Sequence, residues 1–111
     1  MNDKFLSLLG MARRSGKLSL GHDAAINAIV KNRAKLCIMS SEGSQRLQKE
    51  MKHACTFENK NIPLLITDYT TVELSSAIGS KAAVITVDDE GFMKALTQRY
   101  NDLGDNNGRK E

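Results

Sequence analysis

Few side chains in this sequence are suited to act as an acid, a base or a nucleophile. The chain has two histidines, His22 and His53. Acid–base and nucleophilic catalysis need partner groups within hydrogen-bond reach of one another. The residues around Ser41, Cys37 and Cys55 do not form a known nucleophile motif. The sequence therefore favours a protein that is not an enzyme, and a small enzyme that depends on His22 is kept as an alternative.

Motifs for metals, nucleotides and disulfides are also missing. There is no CxxC or HxxxH spacing for zinc, and neither GxxxxGK[ST] nor GxGxxG for phosphates. Cys37 and Cys55 each lie in an apolar pattern, so we expect reduced thiols in the core. The acidic run Asp88-Asp89-Glu90 is explained by capping of a helix. We expect no metal, no cofactor and no small-molecule substrate.

The charge of the chain is unevenly distributed. Residues 1–60 contain eleven Lys or Arg and five Asp or Glu, whereas residues 61–111 contain five and eight. A polyanion would therefore be attracted to the N-terminal half.

Basic residues in that half surround a predicted helix start at Gly21. A helix start exposes unpaired N–H groups that bind phosphates and base edges, and nearby cations add attraction to a nucleic-acid backbone. A solvated basic helix face is the alternative interpretation. The basic residues are Arg13, Arg14, Lys17, Lys31, Arg33 and Lys35.

Apolar spacing predicts that helices and strands alternate around these residues. Helices are expected over 3–14, 22–32, 44–58, 70–79 and from 88 or 89 onward, and strands over 17–20, 36–39, 62–66 and 82–87. This order predicts one α/β domain over residues 1–101, with a small, largely parallel sheet between layers of helices. The continuous apolar runs predict that the strands over 36–39, 62–66 and 82–87 are buried on both faces. Residues 102–111 are expected to form a disordered polar tail. Because no membrane helix or signal peptide is recognisable, we expect a cytoplasmic protein.

Four stretches of the chain are familiar as a set. They read LGMARRSGKLSLGHDAAINAI, RAKLCIMSSEG, NIPLLIT and VELSSAIGSKAAVITVDDEGFMKAL, and the match runs from about Leu6 to Leu96. In these stretches the chain resembles the kink-turn RNA-binding ribosomal-protein family of the L-seven-Ae and L-thirty-e type, within it the small bacterial YlxQ-like branch. The resemblance implies a three-layer α/β/α sandwich with a mixed four-stranded sheet, joined at its edge by a short strand near Leu18.

The resemblance also implies a function, the binding of RNA kink-turns. Members of this family contact the RNA through a glycine-led helix start, here Gly21-His22-Asp23-Ala24, and through an apolar loop before the last strand. The expected partners are structured RNA, above all ribosomal RNA, and ribosome or translation proteins. The residues implied in RNA binding are Arg13, Arg14, Lys17, Gly21, His22, Asp23, Asn27, Lys31, Gly79, Ser80, Lys81, Ala82 and Ala83.

Three positions depart from the family's pattern. Strong RNA binders of the family carry an Asn-Glu pair after the glycine and a lysine one turn later. Here Asp23 and Ala24 replace the pair, and Asn27 replaces the lysine. A second hypothesis is therefore an interaction module that kept the fold, lost kink-turn recognition and binds a protein.

Overall fold

Five α-helices and four β-strands alternate along the computed structural model, which describes residues 3–106 and the side chains of residues 3–103. The helices are α1 (Lys4–Arg14), α2 (His22–Val30), α3 (Gln45–Thr56), α4 (Thr71–Ile78) and α5 (Glu90–Asn106). The strands are β1 (Leu18–Leu20), β2 (Leu36–Met39), β3 (Leu64–Ile66) and β4 (Val84–Val87).

Local hydrogen bonds explain where α4 and α5 begin. Thr70 and Glu73 form a capping box, in which each side chain bonds the backbone of the other residue. The helix ends at Gly79, whose φ of 77° is left-handed. At α5 the capping carboxylate is that of Asp89, which accepts a hydrogen bond of 2.9 Å from the Phe92 amide.

The sheet has the strand order β1-β4-β2-β3 and is mixed, as the resemblance implied. β4 pairs antiparallel with β1 and with β2, and β2 pairs parallel with β3. The expectation of a largely parallel sheet was therefore wrong. Ile66 at the end of β3 and Val84 at the start of β4 both pair with Met39. The chain thus enters and leaves α4 at the same end of the sheet and reverses its direction.

The alternation of side chains along β2 separates two halves of the core. Leu36 and Ile38 pack with residues of α1, α4 and α5, whereas Cys37 and Met39 pack with residues of α2 and α3. The result is the three-layer α/β/α sandwich that the resemblance implied.

The burial of β3 and the end of α5 differ from the expectations. β3 is an edge strand that is only partly buried: Leu65 and Leu64 pack against the two halves of the core, but Ile66 is 39% exposed, so the expected full burial is wrong. α5 continues to Asn106, past the expected domain end at residue 101, and Leu103 packs against the core. The rest of the expected disordered tail, residues 107–111, lies outside the described residues. No helix in the described residues is long and apolar enough to cross a membrane.

Helices α1 and α4 approach each other closely at Gly10. A Cβ atom on Gly10 would lie 2.8 Å from the carbonyl oxygen of Ala77, which is too close for any real Cβ. Because this neighbour is backbone, the two helices would have to separate to admit a side chain. Gly10 therefore sets the spacing of this layer.

Gly10→Ala is expected to lower the free energy of unfolding by about 1–2 kcal/mol, because overpacking outweighs the helix-propensity gain of up to about 1 kcal/mol. Gly91→Ala is the comparison variant, since its Cβ would meet no backbone atom and only the Asp89 oxygen that caps α5, at 3.2 Å, a contact that a small shift of this carboxylate relieves. Urea denaturation of both variants measures the difference. Equal stability of the two variants would contradict the close packing of α1 on α4.

Candidate nucleic-acid interface

One end of the sheet brings together the two segments that the sequence singled out. We call it the site end: β4 begins there, and β1, β2 and β3 end there. The Gly21 amide donates a hydrogen bond of 2.8 Å to the Val84 carbonyl, and the Ser40 amide donates one of 3.0 Å to the Ala83 carbonyl. The start of α2 and the loop before β4 are therefore neighbours, although more than 50 residues separate Gly21 from the loop.

The backbone of Gly21 requires a glycine. Its φ of 90° and ψ of 168° lie in a region that is essentially closed to other residues, although no atom lies within 4 Å of an added Cβ. Gly21 caps α2 without a side-chain hydrogen bond. The first-turn N–H groups of α2 are thus available to an anion or a base edge.

The loop of residues 79–83 lies beside this helix start. Ser80 is half-buried and Lys81 is exposed, but Ala82 is only 4% exposed and its amide bonds the Ser75 hydroxyl. The Ala82 methyl group packs in the core, so it is not available for the nucleotide contact that the resemblance implied. An open groove of about 420 Å³ adjoins the loop and is lined by Thr71, Val72, Ser75, Ser76, Gly79, Ser80 and Lys81.

His22 connects the start of α2 to α3. Its Nδ1 lies 3.0 Å from a carboxylate oxygen of Asp23, and its Nε2 lies 2.6 Å from one of Glu50. The hydrogen bonds to Asp23 and then to Glu50 raise the pKa of His22 above its ordinary value of 6.5. When the ring is protonated, both of its nitrogens donate to these carboxylates, and the Asp23 side chain also remains exposed to solvent.

Two of the predicted cations lie at the far end of the sheet. The Lys17 carbonyl accepts a hydrogen bond from the Asp88 amide, just beyond the last residue of β4. Lys31 follows the end of α2, which at 1.5 Å per residue places it about 15 Å from Gly21 along the helix axis. Lys17 and Lys31 are therefore not part of the cluster at the site end, and they would reach only a more distant part of an RNA.

Arg14 and Lys81 both adjoin the surface of α4. Arg14 lines a groove between α1 and α4, and Ser76 lines both this groove and the one beside Lys81. Arg13 and Asn27 are exposed, on α1 and α2 respectively. The structure thus connects one predicted arginine to the loop of residues 79–83 through the surface of α4.

Comparison with known proteins assigns the chain to a family. The model of the ribosomal protein L7Ae/L30e/S12e/Gadd45 family matches residues 3–97, which include both segments at the site end. The chain belongs to this family.

Relatives of the chain carry an RNA-binding name. RNA-binding protein YlxQ of Enterococcus faecium is 28% identical over 91 residues, covering 82% of this chain and 85% of the relative. RNA-binding protein YlxQ of Bacillus subtilis strain 168 is 31% identical over 94 residues, covering 84% of this chain and 91% of the relative.

Solved structures share the fold. A protein of unknown function from Bacillus halodurans matches with a TM-score of 0.83 at 30% identity, over 90% of this chain and 99% of that one. The 15.5kD RNA binding protein of Giardia lamblia matches with a TM-score of 0.70 at 14% identity, over 94% of this chain and 91% of that one, which shows the fold alone.

Helix α3 carries basic residues that the sequence analysis did not single out. Arg46, Lys49 and Lys52 are exposed on α3, next to Glu50, the partner of His22. Their spacing of three residues was a signal for one helix face. The contact between His22 and Glu50 was not visible in the sequence, because it joins residues 28 positions apart.

Two further features bear on chemistry in the described part of the chain, the potential metal ligands and the cysteines. Within that part, no group of three or more His, Cys, Asp or Glu is arranged to hold a metal ion. Cys37 and Cys55 are buried free thiols, as the apolar pattern predicted. The contact of Cys37 with the Cys55 thiol, together with burial, raises the pKa of Cys37, which disfavours its reactive thiolate form.

Asp23→Asn and Glu50→Gln are each expected to lower the pKa of His22, because each removes a carboxylate that stabilises the protonated ring. NMR titration of the His22 ring measures the shift. Glu58→Gln, which changes an exposed carboxylate outside the His22 contacts, is the matched control and should leave the titration as it was. An unchanged pKa in both test variants would contradict the bridge.

The raised pKa of His22 also has a consequence for stability. The bridge stabilises the fold fully below the ordinary pKa of 6.5, and this contribution is lost as the pH rises through the raised pKa of the folded state. Glu50→Gln should therefore destabilise the protein more just below pH 6.5, where the carboxylates are still ionised, than above the raised pKa of His22, as urea denaturation at the two pH values measures.

Proposed function

We propose that this protein binds structured RNA and does not catalyse a reaction. The binding surface is the start of α2, Gly21–Ala24, together with the loop of residues 79–83. The single observation that carries the proposal is the Gly21–Val84 hydrogen bond, which brings the two segments together. Family membership and the RNA-binding name of the YlxQ relatives support the same function.

The chemistry of the surface suits RNA. Uncapped N–H groups at the start of α2 are able to donate hydrogen bonds to oxygen or nitrogen acceptors of phosphates or bases. Gly21 lets the RNA approach the backbone closely. Lys81 and Arg14 supply positive charge on either side of Ser76. RNA that is bent or unpaired exposes base edges that a regular A-form helix conceals.

The finer proposal is a kink-turn RNA, ribosomal or otherwise part of the translation apparatus. Sheared G·A pairs in such a bend present guanine N–H groups, which donate hydrogen bonds to the Asp23 carboxylate. The carboxylates of Asp23 and Glu50 would repel the RNA backbone, but His22 donates to both of them. Protonated His22 neutralises one of these two negative charges and so reduces the repulsion of an RNA backbone.

The contacts of His22 favour a binding protein over an enzyme. Within the described residues its ring bonds two carboxylates and no hydroxyl or thiol. An activated nucleophile would need a Ser, Thr or Cys side chain at one of these nitrogens. His22 is therefore assigned to the structure and charge of the interface.

The second candidate, a protein-interaction module, is favoured by one observation. The Asp23 side chain is fully exposed and Glu50 is about half exposed, so the helix start presents acidic groups that a basic protein surface would fit. An absence of RNA binding would favour this candidate.

Equilibrium binding to a kink-turn RNA and to a straight duplex of equal length, at two salt concentrations, tests the proposal. We expect preference for the kinked RNA. Lys81→Gln should weaken binding about three- to tenfold and reduce the salt slope by about 0.7–0.9, because one phosphate contact is lost.

Lys94→Gln is the matched control, since it removes the same charge from α5. Lys94 lies outside both the start of α2 and the loop of residues 79–83. This variant should leave affinity unchanged. Equal, weak binding of both RNAs would contradict kink-turn recognition and leave only a general attraction between charges.

A further inference from the structure

The outer face of α3 is a basic surface that the proposed site does not include. Arg46, Lys49 and Lys52 are exposed, and none of the ion pairs within residues 3–103 involves them. Helix α5 differs, because each of its two described cations has a carboxylate partner on the same helix, Lys94 with Glu90 and Arg99 with Asp102. Of these two helices, α3 therefore presents the unneutralised charge.

A groove with amide groups lies between these cations. It has a volume of about 280 Å³ and is lined by Gln45, Gln48, Lys49 and Lys52. The Gln48 side-chain amide donates a hydrogen bond of 3.2 Å to the Gly43 carbonyl, which holds this side chain at the N-terminal end of α3. Amide N–H groups beside lysines are the donors that phosphate and sugar oxygens require.

This face continues from the proposed RNA site. The hydrogen bond of 2.6 Å between His22 and Glu50 holds the second turn of α3 against the first turn of α2. Because Glu50 is engaged by His22, its charge offsets the neighbouring Lys49 less than a free carboxylate would. An RNA bound at Gly21 therefore has a positively charged path along α3.

We propose that Gln45, Arg46, Gln48, Lys49 and Lys52 form a second phosphate-binding surface, which holds the RNA backbone that flanks the segment bound at α2. The inference rests on the proposed function. Lys49 and Lys52 are about 4.5 Å apart along the helix axis, so they reach neighbouring phosphates of one strand. An RNA backbone is favoured over an acidic protein because the face is continuous with the RNA site and combines cations with amide donors.

The test uses two RNAs. The long RNA has a bend with a long stem on each side, and the minimal RNA retains only the bend. Lys49→Gln/Lys52→Gln should weaken binding of the long RNA about tenfold or more and reduce its salt slope by about 1.4–1.8, because two phosphate contacts are lost. It should leave affinity for the minimal RNA unchanged. Both residues are exposed on a helix, and circular dichroism confirms that the variant is folded.

Lys94→Gln/Arg99→Gln is the matched control, since it removes the same charge from α5, and should bind both RNAs as the wild type does. If the α3 variant binds the long RNA as tightly as the wild type while Lys81→Gln weakens it, the second surface is overturned and the proposed function stands. Equal weakening with both RNAs overturns the flanking position. A wild-type protein that binds neither RNA overturns the proposed function and this inference with it.

Discussion

The hydrogen bond between the Gly21 amide and the Val84 carbonyl is the contact on which the site depends. It extends the antiparallel pairing of β1 with β4 by one residue and ends at the point where α2 begins. Only a glycine adopts this backbone conformation readily, and a glycine leaves the helix start without a side-chain cap. One backbone contact thus places exposed N–H groups beside the loop of residues 79–83.

Much of the fold was predictable from the sequence, because its signals are local. The Thr70–Glu73 capping box and the apolar run Leu36–Met39 are each readable within a few residues. Strand direction was not readable in this way. It depends on the connection through α4, which leaves β3 and enters β4 at the same end of the sheet, so that β4 inserts between β1 and β2. No short sequence pattern specifies that path. The edge position of β3 follows from the same long-range arrangement.

The candidate site was predicted in part. The helix start at Gly21 and the loop before β4 came from the resemblance, and the sheet brings them together. Basic residues were grouped by nearness in sequence, but Lys17 and Lys31 lie at the far end of the sheet. The proximity of the α3 cations to the candidate site was not predicted, because the contact between His22 and Glu50 joins separate elements.

Backbone amide NMR of the ¹⁵N-labelled protein, titrated with a kink-turn RNA, tests the central claim most directly. If RNA binds at the site end, the largest shift changes should fall on the amides of residues 22–24 and 79–83, with those of α5 little affected. Changes centred on Lys17, Lys31 and Lys35 at the far end, with residues 22–24 and 79–83 unaffected, would contradict the account.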